Sequence, residues 1–235
     1  MNATNWNLVG SEYYKIKESR YDIVFTFIRD KIAKINPKCI LDYGGGDANF
    51  SIGCAKLPIR EIVTYDPSLS ITKSARKNCK GIKKIKVVES TKLLSSESFD
   101  VITLNAVWMC LETTKACMRV FKDIKRLLKP NGILITSVTH PCFRNIQYST
   151  YKTNFDMKNY LKSRTQFRVK IFDGKNDVNV IDTHWNLSDM SSQLSESGFI
   201  IDRLYELPDR QSNYKRKKGS PWLVILAKRE PQKTI

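Results

Sequence analysis

The sequence predicts an α/β domain with a mainly parallel, doubly wound sheet covered by helices on both faces, and three observations predict it. Short apolar runs alternate with helical spacings along most of the chain. A triple glycine, Gly44-Gly45-Gly46, follows the first run. Asp42, Asp66 and Asn105 close the first, second and fourth runs, at the strand ends beyond which such sheets bind their ligands.

The elements follow in order. Tyr13 to Ile35 carries Ile16, Tyr21, Val24, Phe25, Ile28 and Ile32 at helical spacing, and Asn36-Pro37 stops it. Cys39-Ile40-Leu41 reads as the first strand, and Asn49 to Leu57 as a helix after the glycines. Glu61 to Tyr65 is a second strand, Ser68 to Asn78 a helix, Ile85 to Val88 a third strand and Phe99 to Leu104 a fourth. Thr113 to Leu128 repeats Ala116, Val120, Ile124 and Leu127 as a helix, and a turn at Lys129-Pro130-Asn131-Gly132 hands it to a fifth strand ending near His140. Residues 141–183 break the rhythm, being polar and aromatic with no clean period, and a segment that long inside a domain suits a functional cap. Leu187 to Ser197 is a helix, and Phe199 to Glu206 and Trp222 to Lys228 are the last strands.

At 235 residues and 41% hydrophobic content the chain is long and apolar enough for one fully cored domain, and wholesale disorder is excluded. It contains no run near the roughly 20 apolar residues that cross a bilayer, and its polar start lacks a secretory core, so a cytoplasmic location is expected. The six cysteines have no C-x-x-C pair and only two histidines to join them, which points to reduced thiols and no metal site. The net charge of +17 raises the question of a nucleic-acid partner. Its cations are spread along the chain, however, and the clusters Lys77–Lys86 and Lys215–Lys218 are not interleaved with aromatic residues for base stacking. Nucleic acid is therefore a possible but not a favoured partner.

Charge also narrows the cofactor. A dinucleotide loop needs G-x-G-x-x-G with pyrophosphate on the helix N-terminus. Here Asn49 takes the third glycine's place, and Asp42 and Asp47 bracket the loop with negative charge. S-adenosylmethionine (SAM) carries a sulfonium, an ammonium, a carboxylate, a ribose and an adenine but no phosphate, so a carboxylate beside the loop becomes an asset. Asp42 suits its ammonium end, directly or through water, and Asp66 can accept from both ribose hydroxyls through its two oxygens. Asp66 can equally cap the helix that begins at Ser68.

These residues resemble class I SAM-dependent methyltransferases. Ile40-Leu41-Asp42-Tyr43-Gly44-Gly45-Gly46-Asp47-Ala48 is similar to their first motif, and Val63 to Ser68, with Asp66-Pro67, to the ribose-binding motif. Ser98-Phe99-Asp100-Val101-Ile102 resembles their fourth strand, and Leu127 to Leu134 the stretch before the fifth. Ser137-Val138-Thr139-His140-Pro141-Cys142-Phe143 is similar to an S-x-x-H-P-C-F segment in a small-molecule subgroup, and His184 to Met190 to that subgroup's later helix. The resemblance implies a seven-stranded sheet with its last strand antiparallel and an α/β cap inserted after strand five. It divides the chain into a cap helix (1–36), a SAM-binding Rossmann-like domain (37–140 and 186–235) and a substrate-cap insertion (141–185). It further implies that Glu89, Ser90 and Thr91 meet the adenine, and that Asn105 and Ala106 line the methionyl side. Trp185 and Cys110 depart from the family's usual arginine and acid.

The expected activity is methyl transfer from SAM to O, N or C of a small molecule, leaving S-adenosylhomocysteine (SAH). The protein must aim a nucleophile and exclude water, and histidine suits removal of an acceptor proton. His140 and His184 are the candidates for that role. Tyr13 and Tyr14 can close over the cofactor, and Trp108 and Phe143 can wall the acceptor or serve the core. The basic charge motivates RNA or protein methylation as an alternative, and a catalytically silent module is a third reading.

Overall fold

In a computed structural model, which describes residues 4–13, 16, 20–209 and 219–231, the elements run in the following order. They are α1 (Trp6–Tyr13), α2 (Arg20–Ile35), β1 (Cys39–Tyr43), α3 (Asn49–Cys54), β2 (Glu61–Tyr65), α4 (Leu69–Asn78), β3 (Ile85–Val88) and β4 (Phe99–Asn105). There follow α5 (Thr114–Leu127), β5 (Leu128–Thr139), β6 (Tyr151–Thr153), β7 (Gln166–Phe172), β8 (Asp177–Thr183), α6 (Leu187–Glu196), β9 (Phe199–Leu207) and β10 (Trp222–Arg229). The main sheet has seven strands in the order β3-β2-β1-β4-β5-β10-β9. Its first five pair in parallel, and β10 runs antiparallel to both β5 and β9, as expected for this fold class.

The strands of the parallel part are buried on both faces. Along β1 the side chains alternate: Cys39, Leu41 and Tyr43 join the cluster under α5 and α6, while Ile40 joins the one under α2 and α3. The helices bring matching stripes. On α5, Cys117, Phe121, Ile124 and Leu127 fall on one face, and Thr113 caps its start by accepting from the Ala116 N–H. On α2, Val24, Ile28 and Ile32 do the same on the other side of the sheet.

Four boundaries differ from the sequence reading. The leading helix expected from Tyr13 is α2, which starts at Arg20, and a further helix, α1, precedes it, with Asn5 starting α1 by accepting from the Asn7 N–H through its side chain. Helix α3 ends at Cys54, short of Leu57. The Lys129–Gly132 segment lies inside β5, looped out between the pairs Phe99 with Leu128 and Val101 with Ile133. The insertion after β5 is itself a three-stranded antiparallel sheet, β6-β7-β8, with one 3-10 turn before β6 and another between β6 and β7, and α1 supplies the helical part of the cap. Phe167, Val169 and Ile171 of β7 form its core with Tyr148, Tyr151 and Phe155, and Trp6, Val9 and Tyr13 of α1 pack against it.

Candidate functional site

The triple glycine builds a crest at the end of β1. The Gly44 and Gly45 N–H groups both donate to the Tyr65 carbonyl, at 2.7 and 2.9 Å, which ties the crest to the end of β2. Gly44 has a φ of +73°, and a Cβ there would run into Val107. A Cβ on Gly45 would lie 2.6 Å from Thr64 Cγ2 and 2.7 Å from Asp42 Oδ2. The crest thus needs glycine both for its turn and for the closeness of the backbone to Asp42.

Asp42 is 1% exposed and sits directly beneath. Its Oδ2 accepts from Ser51 Oγ and its Oδ1 from Thr103 Oγ1, both at 2.9 Å, and Ser51 accepts from Thr64 Oγ1 at 2.7 Å. Burial raises its pKa to about 6, against the hydroxyl hydrogen bonds that favour the anion. The Asn105 amide also favours the anion without completing a hydrogen bond to it. Asp66, at the end of β2, accepts from the Gly46 N–H at 3.1 Å through Oδ2 and from the Ser68 N–H at 2.9 Å through Oδ1. Ser68 itself, not Asp66, caps α4 by accepting from the Ile71 N–H. Burial raises the pKa of Asp66, and also that of Asp47, which accepts from the Asn49 N–H.

These groups border a cavity of about 390 Å³, a size suited to a small ligand. Asp42, Gly44, Gly45, Gly46, Asp47, Asp66, Pro67, Asn105 and Ala106 form its floor and rim. Trp6 and Tyr13 of α1, Asp22 and Phe25 of α2, Phe50 of α3 and Ile171 of β7 enclose it from above. Four aspartates line it, and among the described residues no lysine or arginine does, in a chain of net charge +17. Helix α1 is held in place at two points. The Thr4 hydroxyl exchanges hydrogen bonds with the Ile181 backbone on β8, and Asn7 Oδ1 accepts from Ser68 Oγ at 2.6 Å.

Several residues expected from the sequence stand elsewhere. His140 is 4% exposed, with Nδ1 accepting from the Cys142 N–H and Nε2 2.8 Å from Glu206. Burial lowers its pKa against the pull of Glu206. His184 is fully buried, with Nδ1 accepting from Arg144 Nε at 3.0 Å and Nε2–H donating to the Tyr160 carbonyl at 2.7 Å. Neither lines the cavity, and each spends both ring nitrogens on bonds within the fold, so the site does not bring them to a methyl acceptor. Glu89 pairs with Arg76 at 2.6 Å, Ser90 is exposed, and Thr91 is turned to Asp123, so none of the three borders the cavity. Trp108 is buried in the core with its Nε1–H donating to Gln193, and Phe143 packs against the cap core. Tyr14 and the Lys215–Lys218 cluster lie outside the described residues. All six cysteines are free thiols, and among the described residues no group of three or more His, Cys, Asp or Glu side chains is placed to hold a metal.

Trp6, Asp22, Phe25 and Phe50 went unpredicted. In the sequence Phe25 carries only a helical spacing and Phe50 no signal of its own, yet their rings meet edge to face at 5.1 Å on the cavity wall. Trp6 had a signal in Thr4-Asn5, polar residues that open a short helix.

A family model described as a methyltransferase domain matches residues 20–199. Among curated protein sequences there is no match. A SAM-dependent methyltransferase from Clostridium acetobutylicum has a similar structure over 97% of this chain and 100% of its own, with a TM-score of 0.67 and 15% identity. The CcbJ methyltransferase from Streptomyces caelestis is similar over 97% and 98%, with a TM-score of 0.73 and 11% identity. A SAM-dependent methyltransferase from Mesorhizobium loti is similar over 85% and 96%, at 0.62 and 18%. At these identities the likeness is one of fold.

Proposed function

Since the chain belongs to the methyltransferase-domain family, we propose that it transfers a methyl group from SAM to a small-molecule acceptor. The observation that carries the cofactor is the cavity itself, a glycine crest over a buried carboxylate with four aspartates and no cation among the lining residues. SAM supplies a methyl group on a sulfonium and brings a net positive charge that an acidic wall favours, whereas phosphate is repelled there. The crest leaves room for a ligand to approach the backbone. Each Asp66 oxygen accepts one backbone N–H and keeps a lone pair for a ribose hydroxyl. Asp42 supplies negative potential to the ammonium and sulfonium end from beneath the floor.

The acceptor is read from the roof. Trp6, Tyr13, Phe25 and Ile171 offer an apolar wall enclosed by α1 and the cap sheet, which suits a small molecule and the exclusion of water. Asp22, above the cavity, and Asp47, on its rim, are the carboxylates placed to take an acceptor proton, in place of the two histidines. RNA or protein methylation is less favoured, because the charge that would attract a polyanion does not reach the cavity.

Calorimetry with SAM and SAH tests the cofactor. Binding of both is expected, and Asp66→Ala should abolish it; undiminished binding by that variant overturns the assignment. Incubation of cell extract with labelled SAM, followed by mass spectrometry for a product one methylene heavier, identifies the acceptor.

A further inference from the structure

We infer that the acceptor is a cationic amine, methylated on nitrogen and held by Asp22 against the aromatic side of the cavity; the inference rests on the SAM reading above and names the acceptor class it leaves open. The cavity has two aromatic pairs in its lining. Trp6 and Tyr13 of α1 meet edge to face with ring centroids 5.2 Å apart, and Phe25 of α2 meets Phe50 of α3 at 5.1 Å. Asp22 lines the same cavity from the first turn of α2, three residues before Phe25 and so on the same side of that helix. A carboxylate among aromatic faces is the chemistry that holds an ammonium, through charge and through the negative faces of the rings.

Charge decides among acceptors. SAM carries a single net positive charge, whereas four aspartates line the cavity, and among the described residues no lysine or arginine lines it with them. Asp42 and Asp66 face the cofactor in the SAM reading, which leaves Asp22 and Asp47 for the acceptor. An acceptor carboxylate, phosphate or phenolate would meet these acids without a counter-ion, and a neutral alcohol would leave their charge unanswered. An ammonium answers it, and the acids offset its repulsion from the sulfonium. The step balances with the groups present. Asp22 takes one proton from the ammonium, and the nitrogen lone pair so freed forms the new N–C bond as the C–S bond of the sulfonium breaks. The electron pair of that bond stays on sulfur, leaving SAH and an N-methylated ammonium. Asp22 is exposed, so the proton it has taken passes on to solvent.

The test compares benzylamine, benzyl alcohol and benzoate, which share a ring and differ in charge, for binding to the protein saturated with SAH at pH 7.5. Benzylamine should bind about tenfold more tightly than either of the others, the equivalent of about 1.4 kcal/mol. In Asp22→Asn that advantage should shrink to about threefold or less, while SAH still binds. Benzylamine bound by wild type no more tightly than benzyl alcohol or benzoate overturns the inference, as does an undiminished advantage in Asp22→Asn. Loss of SAH binding in Asp22→Asn overturns it too, because Asp22 would then belong to the cofactor's half of the cavity. Extract incubated with labelled SAM gives a second readout: the labelled product should be retained by a cation exchanger at pH 7, and a neutral or acidic product refutes the amine. Failure of wild type to bind SAH would instead remove the SAM reading, and this inference with it.

Discussion

His184 accepts a hydrogen bond from Arg144, with Nδ1 3.0 Å from the guanidinium Nε, and is thereby held neutral beside a buried cation. Burial first, and Arg144 second, lower its pKa to about 4, while Arg144, brought down to about 10 by its own burial, stays charged at neutral pH. An unfolded histidine titrates near 6.5, so between about 6.5 and 4 the unfolded chain binds the extra proton and stability falls as the pH falls. The loss from this one group approaches about 3 kcal/mol. His184→Asn keeps an acceptor for Arg144 but cannot protonate. Urea unfolding at pH 7.5 and 5 should find the variant less stable at the higher pH and closer to wild type at the lower; parallel losses in both proteins would refute the assignment.

Gly45→Ala isolates the crest. The new methyl group would meet Thr64 and Asp42 at 2.6 to 2.7 Å, and overpacking of this kind costs about 1–3 kcal/mol. Because the atoms pushed aside are those that hold Asp42, the expected result is a lower Tm together with weaker SAH binding. A lower Tm with unaltered Kd would place the crest outside the ligand site.

Asn7 latches α1 to the corner beside Asp66, through the 2.6 Å bond from Ser68 Oγ. Loss of one hydrogen bond of this type costs about 0.5–1.5 kcal/mol. In Asn7→Ala, SAH should leave the site about threefold to tenfold faster, as followed in stopped flow by Trp6 fluorescence. An unchanged release rate would mean that α1 need not move for ligand exchange.

The contrast between Asp66 and His140 explains how much of the site was legible in the sequence. The crest and its acids depend on local geometry: a strand, a triple glycine and a helix leave Asp42 and Asp66 little choice of place, and the seven strands followed from their apolar runs. His140 was placed correctly at the end of β5, but its ring direction is set by Glu206, 66 residues later on β9. Likewise Glu89 is drawn off by Arg76, and Thr91 by Asp123. Such pairings between side chains distant in sequence carry no periodic signal. The β7 strand did carry one, Phe167, Val169 and Ile171 at alternate positions, yet it was hidden among the aromatic residues of the connecting turns. The Trp6 helix was missed because the longer α2 pattern absorbed the reading of the N-terminal region.

Asp42 joins stability and ligand choice with opposite signs. Its pKa is about 6 in the folded protein and near 3.8 when unfolded, so between these values the native state holds the extra proton. Stability from this group therefore falls as the pH rises from about 3.8 to about 6, and above that the buried anion costs about 3 kcal/mol. The same anion favours the sulfonium of SAM over the uncharged sulfur of SAH. Asp42→Asn still accepts from a neighbouring hydroxyl but carries no charge. Its unliganded form should have a higher Tm than wild type at pH 7.5, while its preference for SAM over SAH drops. In wild type that preference should decline as the pH is lowered through about 6, and in Asp42→Asn it should not vary. Calorimetry with both ligands from pH 5 to 8 decides the matter: a preference for SAM that is independent of pH in wild type would mean that Asp42 does not select the cation.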